Sequence, residues 1–123
     1  MTKKILIADD EPNIVISLEF LMKREGYEVL IANDGEEAVA RIRKDAPDLV
    51  LLDVMMPKKS GFEVCQEIKS DPQMHPTRIL MLTAKGRDTE VAKGLALGAD
   101  AYMTKPFSTK ELVERVRDLL GER

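Results

Sequence analysis

The chain has no tryptophan, two tyrosines, three phenylalanines, one cysteine and one histidine in 123 residues. A single cysteine, Cys65, cannot close an internal disulfide. The fold must therefore rest on a packed core, and a reducing compartment is expected. At this length such a core needs no staples. The lone histidine, His75, falls in a predicted loop, so no nitrogen-rich donor set is on offer for zinc. No apolar run approaches the roughly 20 residues of a membrane helix. The opening "MTKK" leads into a strand-length apolar run that ends in acids, which is not a secretory signal. The net charge is −3 and no basic recognition helix is present, which argues against direct binding to nucleic acid or an anionic membrane. A soluble cytoplasmic protein of one domain, residues 1–123, is expected.

What is present is an alternation. "ILIA" (5–8), "VLIA" (29–32), "LVLLDV" (49–54), "ILMLT" (79–83) and "AYMT" (101–104) read as five short buried strands. Most lack polar alternation, as expected where helices cover both faces of a parallel sheet. Helical patterns lie between them. Pro12 suits a first turn, and Ile14, Leu18, Leu21 and Met22 form one face before Gly26. Asp34 with Glu37, Ser60 with Glu63 and Ser108 with Glu111 have capping-box spacing. Asp88 can cap the fourth helix, which carries Val91 and Leu95. Phe62, Cys65 and Ile68 in the third helix, and Leu112, Val116, Leu119 and Leu120 in the fifth, are expected to face inward. Five βα units are too few for a closed barrel, so an open, doubly wound α/β sheet with right-handed crossovers is expected.

In an open parallel sheet, ligands bind beyond the carboxyl ends of the strands. Those ends carry Asp9 and Asp10 after strand one, Asp53 at the end of strand three, Thr83 at the end of strand four and Lys105 after strand five. Converging carboxylates repel one another unless one is protonated or a cation sits between them. Oxygen donors without histidine suit Mg²⁺. A carboxylate nucleophile with Mg²⁺, a lysine and a threonine around it suits phosphoryl transfer to an aspartate. Taken alone, Asp9 and Asp10 could serve only the helix N-terminus that follows. Asp53 is harder to treat so, because it ends an apolar run, and burying an unpaired carboxylate is costly. Tyr102 taken alone reads as part of a core or edge cluster, Cys65 as a core filler and "PKK" at 57–59 as a solvated loop.

With "ADDE" (8–11), "LLDVMMP" (51–57), Gly61, "LTA" (82–84) and "AYMTKPF" (101–107), the sequence resembles the receiver domain of two-component response regulators over nearly its whole length. The resemblance implies a flavodoxin-like sheet of order 2-1-3-4-5 with five helices; that order comes with the family and is not deduced from the chain. It also implies roles. Asp53 would accept a phosphoryl group from a histidine kinase or phosphotransfer protein. Asp9, Asp10 and Asp53 with the backbone carbonyl of Met55 would hold Mg²⁺, Asp10 more directly than Asp9. Thr83 and Lys105 would contact the phosphoryl oxygens, and Lys105–Pro106 would be a cis peptide. Tyr102 would move inward as Thr83 moves, and the signal would emerge on the face of the fourth helix, fifth strand and fifth helix. That face would meet a downstream protein or an output domain beyond Arg123, or would form a homodimer. The chain departs from many members at Lys59 and Ser60, a change expected to affect partner recognition or loop behaviour rather than chemistry. Met55 and Lys85 occupy positions that tune loss of the phosphoryl group, and slow to moderate self-dephosphorylation is expected.

Other classes fit less well. Phosphatases with an aspartyl nucleophile usually carry a second acid two residues on, where this chain has Met55. A flavin or nucleotide site needs a Gly- or Ser/Thr-rich loop after the first strand, and "DDEPN" is the opposite. A degenerate, binding-only receiver would lack a motif residue, and none is missing.

Overall fold

Val50, Leu51 and their neighbours show why the apolar runs become strands. In β3 (Leu49–Asp53) all five residues are buried, so both faces of the strand are covered. The computed structural model describes residues 2–74, 76–84 and 88–122. The expectations for His75, Lys85 and the side chains of Asp88 and Val91 fall outside the described residues.

The remaining strands are β1 (Lys4–Ala8), β2 (Glu28–Ala32), β4 (Arg78–Ala84) and β5 (Ala101–Lys105). They pair in parallel in the order β2-β1-β3-β4-β5, as expected. The helices are α1 (Pro12–Arg24), α2 (Gly35–Asp45), α3 (Gly61–Ser70), α4 (Asp88–Ala96) and α5 (Thr109–Leu119). Successive residues of the inner strands point to opposite faces, and both faces are apolar. Ile5, Ile7, Leu49, Leu51, Leu80 and Leu82 pack with Leu18 and Met22 of α1 and with Leu112 and Val116 of α5. Leu6, Val50, Leu52, Ile79 and Met81 pack with Val39 and Ile42 of α2 and with Val64, Cys65 and Ile68 of α3. The outer strands are less enclosed: β5 alternates between buried and exposed residues, and β2 is mostly half-buried.

Helix ends follow the chain's punctuation. Pro12 occupies the first turn of α1. Asp34, Ser60 and Ser108 each accept the backbone N–H of the residue three on, and at Ser60 the Glu63 carboxylate returns the bond. Gly98, at φ +105°, ends α4 in a conformation open mainly to glycine. The inward faces differ from expectation in detail. Val15 is buried while Ile14 is half-buried, and Val64 is buried where Phe62 is only partly so. Leu119 and Leu120 are half-buried, and Leu95 is exposed. Phe62 spends its exposed face on Lys93, whose Nζ lies 4.6 Å from the ring centre.

Candidate functional site

Register delivers the polar residues to one edge. Ala8 pairs with Leu52, so Asp9 and Asp53 emerge side by side. Asp53 pairs with Leu82, which puts Thr83 one step beyond it, and Ala84 pairs with Lys105. The chain turns sharply after β1, where the Glu11 N–H donates to Asp9 Oδ1 at 2.9 Å. The other oxygen of Asp9, Oδ2, accepts from Lys105 Nζ at 3.3 Å. Asp9 is fully buried and so has both oxygens engaged, whereas Asp10 faces solvent. Carboxylate oxygens of Asp9, Asp10 and Asp53 lie within 4.8 Å of one another.

Lys105 donates to three carboxylates: Asp9 and Asp53 at 3.3 Å each and Glu11 at 3.4 Å. The ammonium is shared among long contacts rather than committed to a short one. Burial works against its charge, but Asp53 and Asp9 outweigh that, and its pKa is raised. Asp53 is 5% exposed. Burial, and then the Asp9 charge, push its carboxyl up to about 6, although Lys105 and the Met55 N–H pull the other way. Thr83 is 1% exposed, and among the described residues its hydroxyl is the buried side-chain polar atom without a hydrogen-bond partner. A buried hydroxyl left unpaired costs about 1–3 kcal/mol. The Lys105–Pro106 peptide is cis. Tyr102, on the edge strand β5, is 40% exposed, so it is not a core residue.

The loop from Val54 to Ser60 is held from several sides. Val54 N–H donates to Leu82 O, and Gly61 N–H donates to Val54 O. Gly61 is required by close approach: a Cβ there would collide with the Asp53 carbonyl oxygen and lie 2.9 Å from Val54 Cα. Pro57 O accepts both Gly35 N–H, at 3.2 Å, and Lys59 N–H, at 2.8 Å. The second bond closes a γ-turn on Lys58, whose φ is +70°. The Met55 side chain is exposed and leaves its backbone to face Asp53.

Asp9, Asp10, Asp53, Thr83 and Lys105 thus come to the edge that the sequence predicts. Glu11 joins them through Lys105, a contact that its place in the sequence does not suggest. Gly35 was also missed. Its signal was a glycine at the first helical position, where nothing about helix formation favours it.

Residues 5–117 match the model of the response regulator receiver domain. The chain is 50% identical over 120 residues to the alkaline phosphatase synthesis transcriptional regulatory protein PhoP of Bacillus subtilis, with 98% of this chain and 49% of PhoP covered. It therefore spans about half of that relative's length. Among solved structures, the chemotaxis response regulator CheY4 of Vibrio cholerae is 33% identical, with a TM-score of 0.90 and coverage of 97% and 99%. The BeF3-activated DrrB receiver domain is 35% identical, with a TM-score of 0.87 and coverage of 98% and 99%. By sequence and by fold, the chain belongs to the response regulator receiver domain family of two-component systems.

Proposed function

We propose that this protein is a phosphoacceptor switch in which Asp53 takes a phosphoryl group from a histidine kinase or phosphotransfer protein. The observation that carries this reading is a buried carboxylate, Asp53, held between a second acid and a lysine 3.3 Å away. With its pKa near 6, Asp53 is ionised and nucleophilic at neutral pH. One of its oxygens attacks phosphorus and forms an acyl phosphate, while the P–N bond to the donor histidine breaks and its electron pair stays with the imidazole. The reaction needs charge neutralisation and in-line positioning more than covalent machinery.

The all-oxygen donor set Asp9, Asp10 and Asp53 fits a hard cation, and Mg²⁺ is the cofactor we assign. Asp10, exposed and with an uncommitted carboxylate, is the more direct ligand; the Met55 carbonyl completes the protein's share. Bound there, Mg²⁺ would neutralise charge on the phosphoryl oxygens and on the acids. Lys105, now shared among three acids, supplies a mobile positive charge for the same oxygens. The unpartnered Thr83 hydroxyl is suited to donate to one of them. Satisfying it would draw Thr83 toward Asp53 and free space for Tyr102 to turn inward from its exposed position. That movement would alter the α4–β5–α5 face, where a downstream protein, an output domain or a second copy of the chain would bind. Pro57, Gly61 and Pro106 shape the loops around the site. The activity is confined to the domain's own phosphorylation and slow to moderate dephosphorylation, in the cytoplasm, as one domain over residues 1–123.

The test is incubation with acetyl phosphate and Mg²⁺, read by intact mass. Addition of one phosphoryl group to wild type, and none to Asp53→Asn, is expected. Failure of wild type to react, or an unchanged reaction of the variant, would overturn the reading. A phosphoryl half-life of seconds would overturn the slow-hydrolysis part alone.

A further inference from the structure

The segment "PKK" (57–59) carries a structural device of its own. Lys59 Nζ donates to Glu67 Oε1 at 2.6 Å. Glu67 is fixed in turn by Arg43, whose Nη2 donates to Oε2 at 3.2 Å and whose Nη1 reaches Asp71 at 3.3 Å. The lysine end of this chain of charges is therefore anchored to α3, and through Arg43 to α2. The backbone end is just as confined. The Lys59 carbonyl oxygen and Cβ fill the place a Cβ on Gly35 would take, so the loop lies flat against the start of α2.

This clamp opposes a strain. Lys58 sits at φ +70°, and a non-glycine residue at the centre of such a γ-turn is unfavourable. Relaxation of that turn would shift the Pro57 carbonyl, which accepts from both Gly35 and Lys59, and with it the loop that carries Met55. The Met55 N–H bonds Asp53. A loop that populates its binding-competent form only part of the time binds its ligand more weakly by that fraction.

We propose that Lys59, through its ion pair with Glu67, is a positioning residue for the Mg²⁺ site, holding the strained β3–α3 loop in the form that keeps the Met55 backbone at the acidic cluster. The proposal rests on the reading of Asp9, Asp10, Asp53 and Met55 as the metal's ligands. Lys59 touches neither metal nor phosphoryl group, so its effect is on affinity for the ion. The Glu67 carboxylate is held below its usual range by the Lys59 hydrogen bond, which fits a pair formed at neutral pH.

The test is a Mg²⁺ titration of the whole chain followed by amide NMR, with Asp10→Asn as a control that should not bind. Lys59→Met and Glu67→Gln should each measurably weaken Mg²⁺ binding, by up to about fivefold, the upper limit for losing one partly exposed ion pair. Lys59→Arg should restore most of the affinity, and the Lys59→Met/Glu67→Gln double variant should be no weaker than either single one. Equal Mg²⁺ affinity in wild type and Lys59→Met would overturn the clamp and leave the metal site standing. Loss in Lys59→Arg as large as in Lys59→Met would also overturn it. A wild type that fails to bind Mg²⁺ would overturn the metal reading, and the clamp with it.

Discussion

Replacing Asp53 by asparagine should make the metal-free protein more stable. The pKa of Asp53 rises from 3.8 to about 6 because burial and the Asp9 charge disfavour its ionised form more than Lys105 favours it. The folded chain therefore binds this proton more tightly than the unfolded chain does. At this group, stability is highest below the unfolded pKa, falls as pH rises through the interval up to the folded pKa, and is flat above it. A shift of roughly two units corresponds to about 3 kcal/mol, present in full near pH 7.5. Asparagine keeps the shape and an acceptor for the Met55 N–H but removes the charge. Asp53→Asn should then gain up to about 3 kcal/mol at pH 7.5 in chelator, a rise of roughly 10 °C in Tm for a chain of this size. Near pH 4 the gain should vanish, because wild type is protonated there as well. Mg²⁺ should narrow the gap at pH 7.5 by stabilising wild type selectively. Urea denaturation at both pH values, with chelator and with Mg²⁺, measures all of this. No gain at pH 7.5 in chelator, or the same gain at both pH values, would refute the electrostatic account of the site.

Three further outcomes follow from the geometry. Thr83→Val should stabilise the unphosphorylated domain by about 1 kcal/mol in urea denaturation, since it removes a buried hydroxyl with no partner. The same variant should respond less to beryllofluoride in NMR spectra. Ala46→Gly should stabilise by about 0.5–1 kcal/mol in thermal melts, because Ala46 ends α2 at φ +46° and ψ +59°, in the left-handed region. Tyr27→Phe should cost about 1–2 kcal/mol, because the Tyr27 hydroxyl donates to Glu122 Oε1 at 2.7 Å. Ultraviolet titration of wild type should show one phenol ionising only near pH 12, a component lost in that variant.

How far the sequence could be read depended on what each feature rests on. The strand order was legible because the family resemblance named it, and the gathering of Asp9, Asp53, Thr83 and Lys105 because each lies at the carboxyl end of a strand in a parallel sheet. The phase of α1 was harder. Ile14, Val15 and Ile16 are all apolar, so helical spacing alone cannot say which faces the core, and docking against the sheet buries Val15 and leaves Ile16 64% exposed. The loop contacts were not legible at all. Glu11 meets Lys105 across 94 residues of sequence, and Gly35 meets Lys59 only because α2 and the loop after β3 end at the same edge. Lys59 reads as solvated because solvent is the default for a lysine, and its partner Glu67 lies on another element, α3. The same distinction separates the two parts of the site. A buried acid announces itself in sequence by its cost. The residues that hold its surroundings in place are ordinary in sequence, and their role arises only from the distances between loops.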